Sequence, residues 1–373
     1  MFPFKLKKGD KETGELRIVR LSGDPYSMGY QHGQILKKEI REIYKKAEEN
    51  LCYHEGKFIG KVAFRVVHQI SKYLNKFIPD EFKKEIQGIA DGAGLKYYDI
   101  LLMNLVEELD VFYFKYFRSI FSPRCSCFVA KNNKGILIVG RNLDYDFFSE
   151  NLPSLSVLLV YFPKDGFPFA SLIWPGIISA FTSFSKNLNL FIFDSPTKHD
   201  GWKGMPEEIL TRKIIQYSLD FDSAIKEINS SSLPRGQNLV LVSKENAIVT
   251  EFSPFRKAVR SLSDYLIVTN HFQAPEMKDE QVVLFPKLRK TVISEEFYTL
   301  KGSEARAKKL NLLCREKPID VERAKDILKA VSTAGTIQSI IFIPKEGELY
   351  IATSSKPPVT KGEWIHLNLN ELI

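Results

Sequence analysis

The chain has 373 residues, of which 44% are hydrophobic and 26% are charged, a composition typical of a folded globular protein and unlike that of a disordered chain. Lysine and arginine exceed aspartate and glutamate by 53 to 45, but the two signs are interleaved, as in 37–50, so no nucleic-acid partner is expected. No apolar run approaches the ~18 to 20 residues of a membrane span, and no signal-peptide core is visible at the N terminus, so we expect a cytoplasmic protein.

Residues 1–122 predict one short strand followed by helices. The apolar stretch 15–21 predicts the strand, and turn-forming residues at 23–25 precede a helix that begins near Tyr26. Apolar residues at spacings of three and four predict further helices, the last of them over the apolar segment 98–120. This first third of the chain is therefore predicted to be a helical N-terminal region.

The pattern changes abruptly at about 122–125, the one boundary that the composition supports. Two β-rich runs at 127–130 and 136–139 flank a turn at 132–135, which predicts a hairpin. Later strands are predicted at 155–162, 168–173, 188–193, 238–243, 247–252, 265–269, 337–343 and 348–352. Helices are predicted between them at 206–218, 221–229, 303–313 and 320–331. Antiparallel strands separated by helical blocks predict an α+β fold and not a parallel doubly wound sheet.

The four cysteines are Cys52, Cys125, Cys127 and Cys314. A chain of this length without a secretory signal does not need a disulfide framework, so we expect free thiols. The spacing of Cys125 and Cys127 differs from Cys-x-x-Cys, and no second pair lies near, so neither a metal site nor a cofactor is predicted.

The segment 121–147 carries the residues most suited to chemistry. A hairpin in register brings the start of its first strand beside the end of its second, so Cys125 is expected near Arg141 and Asp144. An arginine favours the thiolate of a nearby cysteine, and an aspartate can hold an ammonium group. From these residues alone, an inert buried cysteine and a structural Arg–Asp pair stay open as the alternative.

This segment resembles the nucleophile region of the N-terminal-nucleophile (Ntn) hydrolase superfamily, in the branch that includes penicillin acyltransferase, bile salt hydrolase and acid ceramidase. In that branch a Cys-(Thr/Ser) opening is followed, 16 residues after the cysteine, by the arginine of a Gly-Arg-Asn-x-Asp run, here Cys125, Ser126, Arg141 and Asp144. Further similarities follow in the family's order, at 23–36, 267–272, 303–306 and 336–352.

The resemblance implies a four-layer αββα sandwich of two antiparallel sheets between helical layers. It implies that 1–124 is a helical pro-region and 125–373 the catalytic core, packed as one globular unit. It also implies self-cleavage between Arg124 and Cys125, which turns a zymogen into an enzyme with an N-terminal cysteine.

The resemblance also assigns roles. Cys125 is the nucleophile and its own α-amine the base, while Asp144 orients that amine. Asn270 donates to the oxyanion, and Arg141 and Arg306 shape the site electrostatically. The implied activity is hydrolysis, or acyl transfer, at the amide bond of an N-acyl small molecule.

Several alternatives stay open from the sequence. Cys127 is a second candidate nucleophile, and His271 suggests a Cys–His dyad, whereas His32 is expected to be structural. The second oxyanion asparagine of the bile-salt group aligns with Phe184, which leaves that donor unassigned.

The function also has two rivals. One is a lipid-directed hydrolase of ceramidase-like or phospholipase B-like activity, and the other is a non-catalytic binding protein on the same fold. A homodimer is a further possibility that no sequence feature favours.

Overall fold

The computed structural model describes residues 16–55, 57–105, 108, 125–145, 151–199, 201–281, 300–316 and 318–373. Its strands are β1 (Arg17–Gly23), β2 (Ser126–Lys131), β3 (Leu137–Asp144), β4 (Val157–Pro163), β5 (Phe169–Ile173), β6 (Thr182–Phe184), β7 (Asn189–Asp194), β8 (Gln237–Val242), β9 (Ala247–Phe252), β10 (Lys257–Ser261), β11 (Tyr265–Val268), β12 (Thr336–Ile343), β13 (Glu348–Thr353) and β14 (Glu363–Asn368).

The helices of the described ranges precede, separate and follow these strands. They are α1 (Pro25–Ile35), α2 (Lys37–Glu55), α3 (Lys57–Leu74), α4 (Asp80–Ala93), α5 (Tyr97–Met103), α6 (Leu152–Leu155), α7 (Glu207–Tyr217), α8 (Phe221–Ser230), α9 (Leu300–Arg315), α10 (Val321–Ala330) and α11 (Leu369–Leu372). None of them is long and apolar enough to cross a membrane.

The strands form two sheets. The eight-stranded sheet has the order β1-β4-β5-β6-β7-β8-β9-β10, and the six-stranded sheet has the order β11-β2-β3-β12-β13-β14. Alternate residues of β2 divide between two cores: Cys127 and Val129 lie in the core that contains residues of both sheets, whereas Phe128 and Ala130 pack with α9 and α10. The predicted α+β class with mostly antiparallel sheets is confirmed, and the arrangement is compatible with an Ntn-type sandwich.

The hairpin that precedes the candidate site forms as predicted. β2 and β3 pair antiparallel, with Ser126 opposite Asn142. In the turn, Asn132 Oδ1 accepts hydrogen bonds from the backbone N–H groups of Lys134 and Ile136, and Gly135 adopts a φ of +74°. An asparagine followed by a glycine in the left-handed region is typical of such turns.

The sequence prediction differs from the structure in several respects. Strands β6, β10 and β14 were not predicted, because β6 has only three residues and the other two lie at sheet edges, where half-exposed side chains give no clear alternation. In addition, β1 pairs parallel to β4, so the eight-stranded sheet is not wholly antiparallel. Of the helix predicted over 98–120, α5 forms the beginning and ends at Met103, with Asn104 as its C-cap, while 106–107 and 109–120 lie outside the described residues.

Helices α1 and α4 approach each other at glycines. A Cβ atom at Gly29 would lie 2.0 Å from the carbonyl oxygen of Glu85, and one at Gly88 would lie 2.3 Å from the carbonyl oxygen of Tyr26. Gly33 and Gly92 face the opposite backbone in the same way, one turn further along. The backbones therefore pack at a distance that no other residue type permits.

We predict that Gly88→Ala lowers the free energy of unfolding by about 3 kcal/mol, since the added methyl group meets backbone and the helices must separate. Urea denaturation followed by circular dichroism measures this. Gly135→Ala is the control: no atom lies within 4 Å of its Cβ position, so only the left-handed φ opposes it, at about 1 kcal/mol. Equal losses in the two variants would contradict the interpretation.

The N-terminal helices are joined to the sheets by buried polar contacts. His32 Nε2 accepts a hydrogen bond of 2.9 Å from Gly176 N–H, and Asn104 Nδ2 donates one of 2.8 Å to the Gly176 carbonyl. On α7, the buried Arg212 donates to Glu85 of α4 at 2.8 Å, and its guanidinium lies 4.3 Å from the ring centroid of Tyr161 on β4. Helices from the first hundred residues thus share hydrogen bonds with the part of the chain that follows Cys125.

Burial lowers the pKa of His32 to about 3, with a smaller contribution from Arg212. Below pH 6.5 the His32 side chain therefore binds a proton in the unfolded chain but stays neutral in the folded chain. Protonation favours the unfolded state, so the free energy of unfolding decreases as the pH falls. We predict that the wild type loses about 1.4 kcal/mol per pH unit relative to His32→Gln between pH 6 and 4. Urea denaturation of both proteins over this range measures the difference, and parallel curves would refute it.

Candidate active site

Three strand ends meet in the six-stranded sheet. β2 pairs antiparallel with β11 on one side and with β3 on the other. The start of β2 therefore lies beside the ends of both neighbours, which brings Cys125 next to Asp144 and next to the residues that follow Val268. The site is built by sheet topology from segments that are 145 residues apart in sequence.

A hydrogen-bonded chain runs through this point. The backbone N–H of Cys125 donates to Asn270 Oδ1 at 2.6 Å, and Asn270 Nδ2 donates to the carbonyl of Asp194 at 3.0 Å. Arg306 Nη2 donates to the same Asn270 oxygen at 3.1 Å, and its Nε donates to Ser126 Oγ at 3.1 Å. Cys125, Asn270 and Arg306, which the sequence motifs singled out separately, are thus brought together.

Arg141 is buried between the two sheets. Its Nη1 donates to Thr182 Oγ1 on β6, and its Nη2 donates to the carbonyl of Ile192 on β7 at 3.0 Å. The guanidinium carbon also lies 5.3 Å from the ring centroid of Phe193. Gln338 of β12 accepts from Thr182 at 3.3 Å and supports this arrangement. The sequence analysis assigned no role to Thr182, nor to Gln338, although Gln338 lies within the similar segment 336–352.

The electrostatic environment of Cys125 differs from the simple expectation. Burial is the largest influence and raises the pKa of its thiol to about 11. Arg141 and a hydrogen bond from the Asp144 backbone lower that pKa, while the Asp144 and Asp194 carboxylates raise it. Arg141 thus acts in the predicted direction but is outweighed, so the thiol of the uncut chain is protonated at neutral pH.

We predict that Cys125 in the uncut, folded chain reacts with iodoacetamide at least about a hundredfold more slowly at pH 8 than in the same chain unfolded in urea. The difference follows from a pKa of about 11 against an ordinary value of 9.0, because only the thiolate reacts. Peptide mass spectrometry gives the labelling rate, which should rise about tenfold per pH unit from 7 to 9.5. A rate that levels off below pH 9 would be incompatible with this environment.

The two alternative catalytic groups, Cys127 and His271, each have partners of their own. Cys127 lies inside β2, paired with Arg141 on one side and Val268 on the other, and burial raises the pKa of its thiol. His271 Nδ1 contacts Ser303 Oγ at 2.7 Å and Thr269 Oγ1 at 3.0 Å, and burial lowers the pKa of His271 to about 4. The described contacts of His271 are thus to Ser303 and Thr269 and not to Cys125.

The position aligned with a second oxyanion donor is apolar here. Phe184 is fully buried on β6, with its ring centroid 4.9 Å from that of Phe342 on β12. A side chain packed between the sheets in this way has no donor to offer, so the second donor stays unassigned.

A buried acidic group adjoins Asp194 and was not predicted from sequence. Glu108 accepts from the backbone N–H of Glu207 at 2.9 Å and lies 4.0 Å from Arg235. Burial, with the neighbouring carboxylates as further causes, raises the pKa values of Glu207 and Glu208 well above the ordinary range. Over the ranges that the structure describes, no group of three His, Cys, Asp or Glu side chains is arranged to hold a metal ion.

No protein-family model matches the chain. The sequence is similar to protein dcd1A of Dictyostelium discoideum, with 27% identity over 261 residues, which is 60% of this chain and 55% of that protein. It is similar to the N-acylethanolamine-hydrolyzing acid amidase of Rattus norvegicus, with 25% identity over 187 residues, which is 48% of each chain. It is also similar to the acid ceramidase of Rattus norvegicus, with 25% identity over 201 residues, which is 50% of this chain and 48% of that protein.

The chain spans about half the length of the curated relatives it matches. Its homologues thus include an acid amidase and an acid ceramidase, and acid ceramidase belongs to the branch that the Cys125 motif resembles. The similarity does not single out the penicillin acyltransferase group within that branch.

Proposed function

We propose that this chain is a self-processing cysteine amidohydrolase of the Ntn type, which cuts itself between Arg124 and Cys125 and then uses Cys125 to hydrolyse N-acyl amides. The observation that carries the proposal is the hydrogen bond of 2.6 Å from the Cys125 N–H to Asn270 Oδ1. This bond holds the nitrogen that would leave in self-cleavage. That nitrogen would afterwards be the catalytic amine. Arg124 itself lies outside the described residues.

In this proposal, self-cleavage begins with an N-to-S acyl shift. The Cys125 sulfur attacks the Arg124 carbonyl carbon, the bond from that carbon to the Cys125 nitrogen breaks, and the nitrogen takes the thiol proton. Water then hydrolyses the thioester, which releases a carboxylate at Arg124 and restores the thiol. The products are the segments 1–124 and 125–373, packed together in a four-layer αββα sandwich of which 1–124 is the pro-region.

Cleavage supplies the base that the uncut site lacks. A free α-amine has a pKa of about 8, so at neutral pH a useful fraction is unprotonated and can accept the thiol proton. A base at this position is needed because burial raises the pKa of the Cys125 thiol, which in the uncut chain is too weak an acid to ionise alone. Asp144, whose carboxylate interacts electrostatically with Cys125, would orient the ammonium form.

Asn270 is suited to stabilise the oxyanion. One hydrogen of its Nδ2 is bonded to the Asp194 carbonyl, and the described residues offer no acceptor for the other. Arg306 holds the amide oxygen and so fixes the direction of that second hydrogen. Removal of one such donor costs about 3 to 4 kcal/mol of transition-state stabilisation in known acyl-transfer sites. Arg141 would act on the same centre through its charge.

The names of the relatives support the substrate class that we propose. One relative is named for the hydrolysis of N-acylethanolamines and another is named a ceramidase. N-acylethanolamines and ceramides both carry an N-acyl amide bond, and we propose that this chain acts on an amide of that kind. Acyl transfer to an amine in place of water belongs to the same proposal. A ceramidase-like activity is the second candidate, supported by the acid ceramidase similarity. Cytoplasmic location and a homodimer stay predictions.

We predict that intact-mass spectrometry of freshly purified wild-type protein shows two chains, cut between residues 124 and 125. The Cys125→Ala variant should show a single uncut chain. Cys127→Ala is the matched control, a buried cysteine two residues away on the same strand, and it should be cut like the wild type. A single uncut chain in the wild type, with Cys125 inert to iodoacetamide after long incubation, would favour the non-catalytic binding protein.

A further inference from the structure

The loop that carries Asn270 begins where a strand ends. The backbone ladder between β11 and β2 reaches Val268 opposite Cys127 and goes no further. Thr269 and Asn270 are therefore positioned by other contacts, although the Asn270 side chain makes the bonds of 2.6 and 3.0 Å on which the site depends.

Asn238 supplies the first of these contacts from the opposite sheet. It is fully buried on β8, and its Nδ2 donates at 3.0 Å to the carbonyl of Thr269 and at 3.1 Å to that of His271. Both hydrogens are used on the two carbonyls that flank Asn270. The Asn238 Oδ1 has no hydrogen-bond partner among the described residues, so the donor end alone accounts for keeping an amide in this core.

Glu251 supplies the second contact from the adjacent strand. It lies directly opposite Asn238 in the pairing of β8 with β9. Its buried carboxylate accepts from the backbone N–H of Gln273 and that of Ala274, each at 3.0 Å, and from Arg260 Nε at 2.6 Å. Charge-assisted bonds of this kind are about twice as strong as neutral ones. Two cross-strand neighbours of the eight-stranded sheet thus hold consecutive parts of one loop.

We propose that Asn238 and Glu251 are positioning residues, which set the place of the Asn270 side chain from the opposite sheet without touching the reacting atoms. The inference rests on the function proposed for Asn270. A displacement of the reacting groups by about 1 Å can lower the reaction rate a hundredfold. Loosening this loop should therefore lower the rate of the reaction more than it lowers the stability of the fold.

The test compares Asn238→Asp with Asn189→Asp. Asn189 is an equally buried asparagine, on β7, whose Nδ2 donates to the carbonyl of Val242 at the end of the strand remote from Asp194. Both substitutions replace an amide donor by a carboxyl group of the same size. We expect similar losses of thermal stability, but self-cleavage and kcat should fall about a hundredfold for Asn238→Asp alone, with KM unchanged.

The pH dependence of the Asn238→Asp rate distinguishes a positioning role of Asn238 from a purely structural one. A protonated aspartic acid has an O–H that can donate to one of the two loop carbonyls, so the rate of Asn238→Asp relative to the wild type should recover from pH 7.5 to pH 5. Glu251, His271 and Arg260 face the same loop in both proteins, so the rate ratio at each pH removes the part of the pH dependence that the two proteins have in common. Glu251→Gln, which keeps the shape and one acceptor, should lower kcat about tenfold without this recovery.

The outcomes separate the two proposals. If the wild type neither cuts itself nor hydrolyses N-acylethanolamine or ceramide, the proposed function fails. If the wild type is active and Asn238→Asp matches Asn189→Asp at every pH, the positioning role alone is wrong. If Asn238→Asp does not fold, the decision passes to Glu251→Gln, and wild-type kcat in that variant would overturn the inference.

Discussion

The site depends on one constraint, the antiparallel pairing of β2 with both β11 and β3 in the six-stranded sheet. Because neighbouring strands run in opposite directions, the beginning of the central strand must lie beside the ends of the other two. This pairing brings Cys125, Asp144 and Asn270 together, and no contact between sequence neighbours would do so. A register shift of one residue in either ladder would turn the side chains to the opposite face and dissolve the arrangement.

The opposite sheet completes what this pairing begins. Arg141 bonds to β6 and β7, Asn270 bonds to the carbonyl at the end of β7, and Asn238 holds the loop from β8. These bonds cross the apolar interior between the sheets, where an unpaired polar group is costly and a satisfied one is strongly oriented. The geometry therefore exists only when the sheets are packed, which ties the chemistry of Cys125 to the folded state of the whole chain.

The features that could be predicted from the sequence are those set by neighbouring residues or by a motif. The hairpin after Cys125 follows from its turn residues and from the alternation of apolar residues, and the spacing of Cys125, Arg141 and Asp144 identifies the segment as a candidate site from the sequence alone. Thr182, Asp194 and Asn238 could not be found in this way, since their part depends on which strands of the two sheets face each other. The strength of burial at Cys125 was also beyond prediction, because it is set by the whole packed interior and outweighs the charge of Arg141.

The buried contacts of the N-terminal helices have a consequence for a chain that has cut itself. His32, Asn104 and Glu85 bond across to residues beyond Cys125, so the two pieces would stay together as a noncovalent heterodimer. Assembly was unimolecular when the chain was whole, with every partner at a high effective concentration. Once denatured, the cut protein would have to find its other half by diffusion, and recovery would become second order. Such a protein folds once, as a precursor, and its lifetime is then governed by kinetic stability.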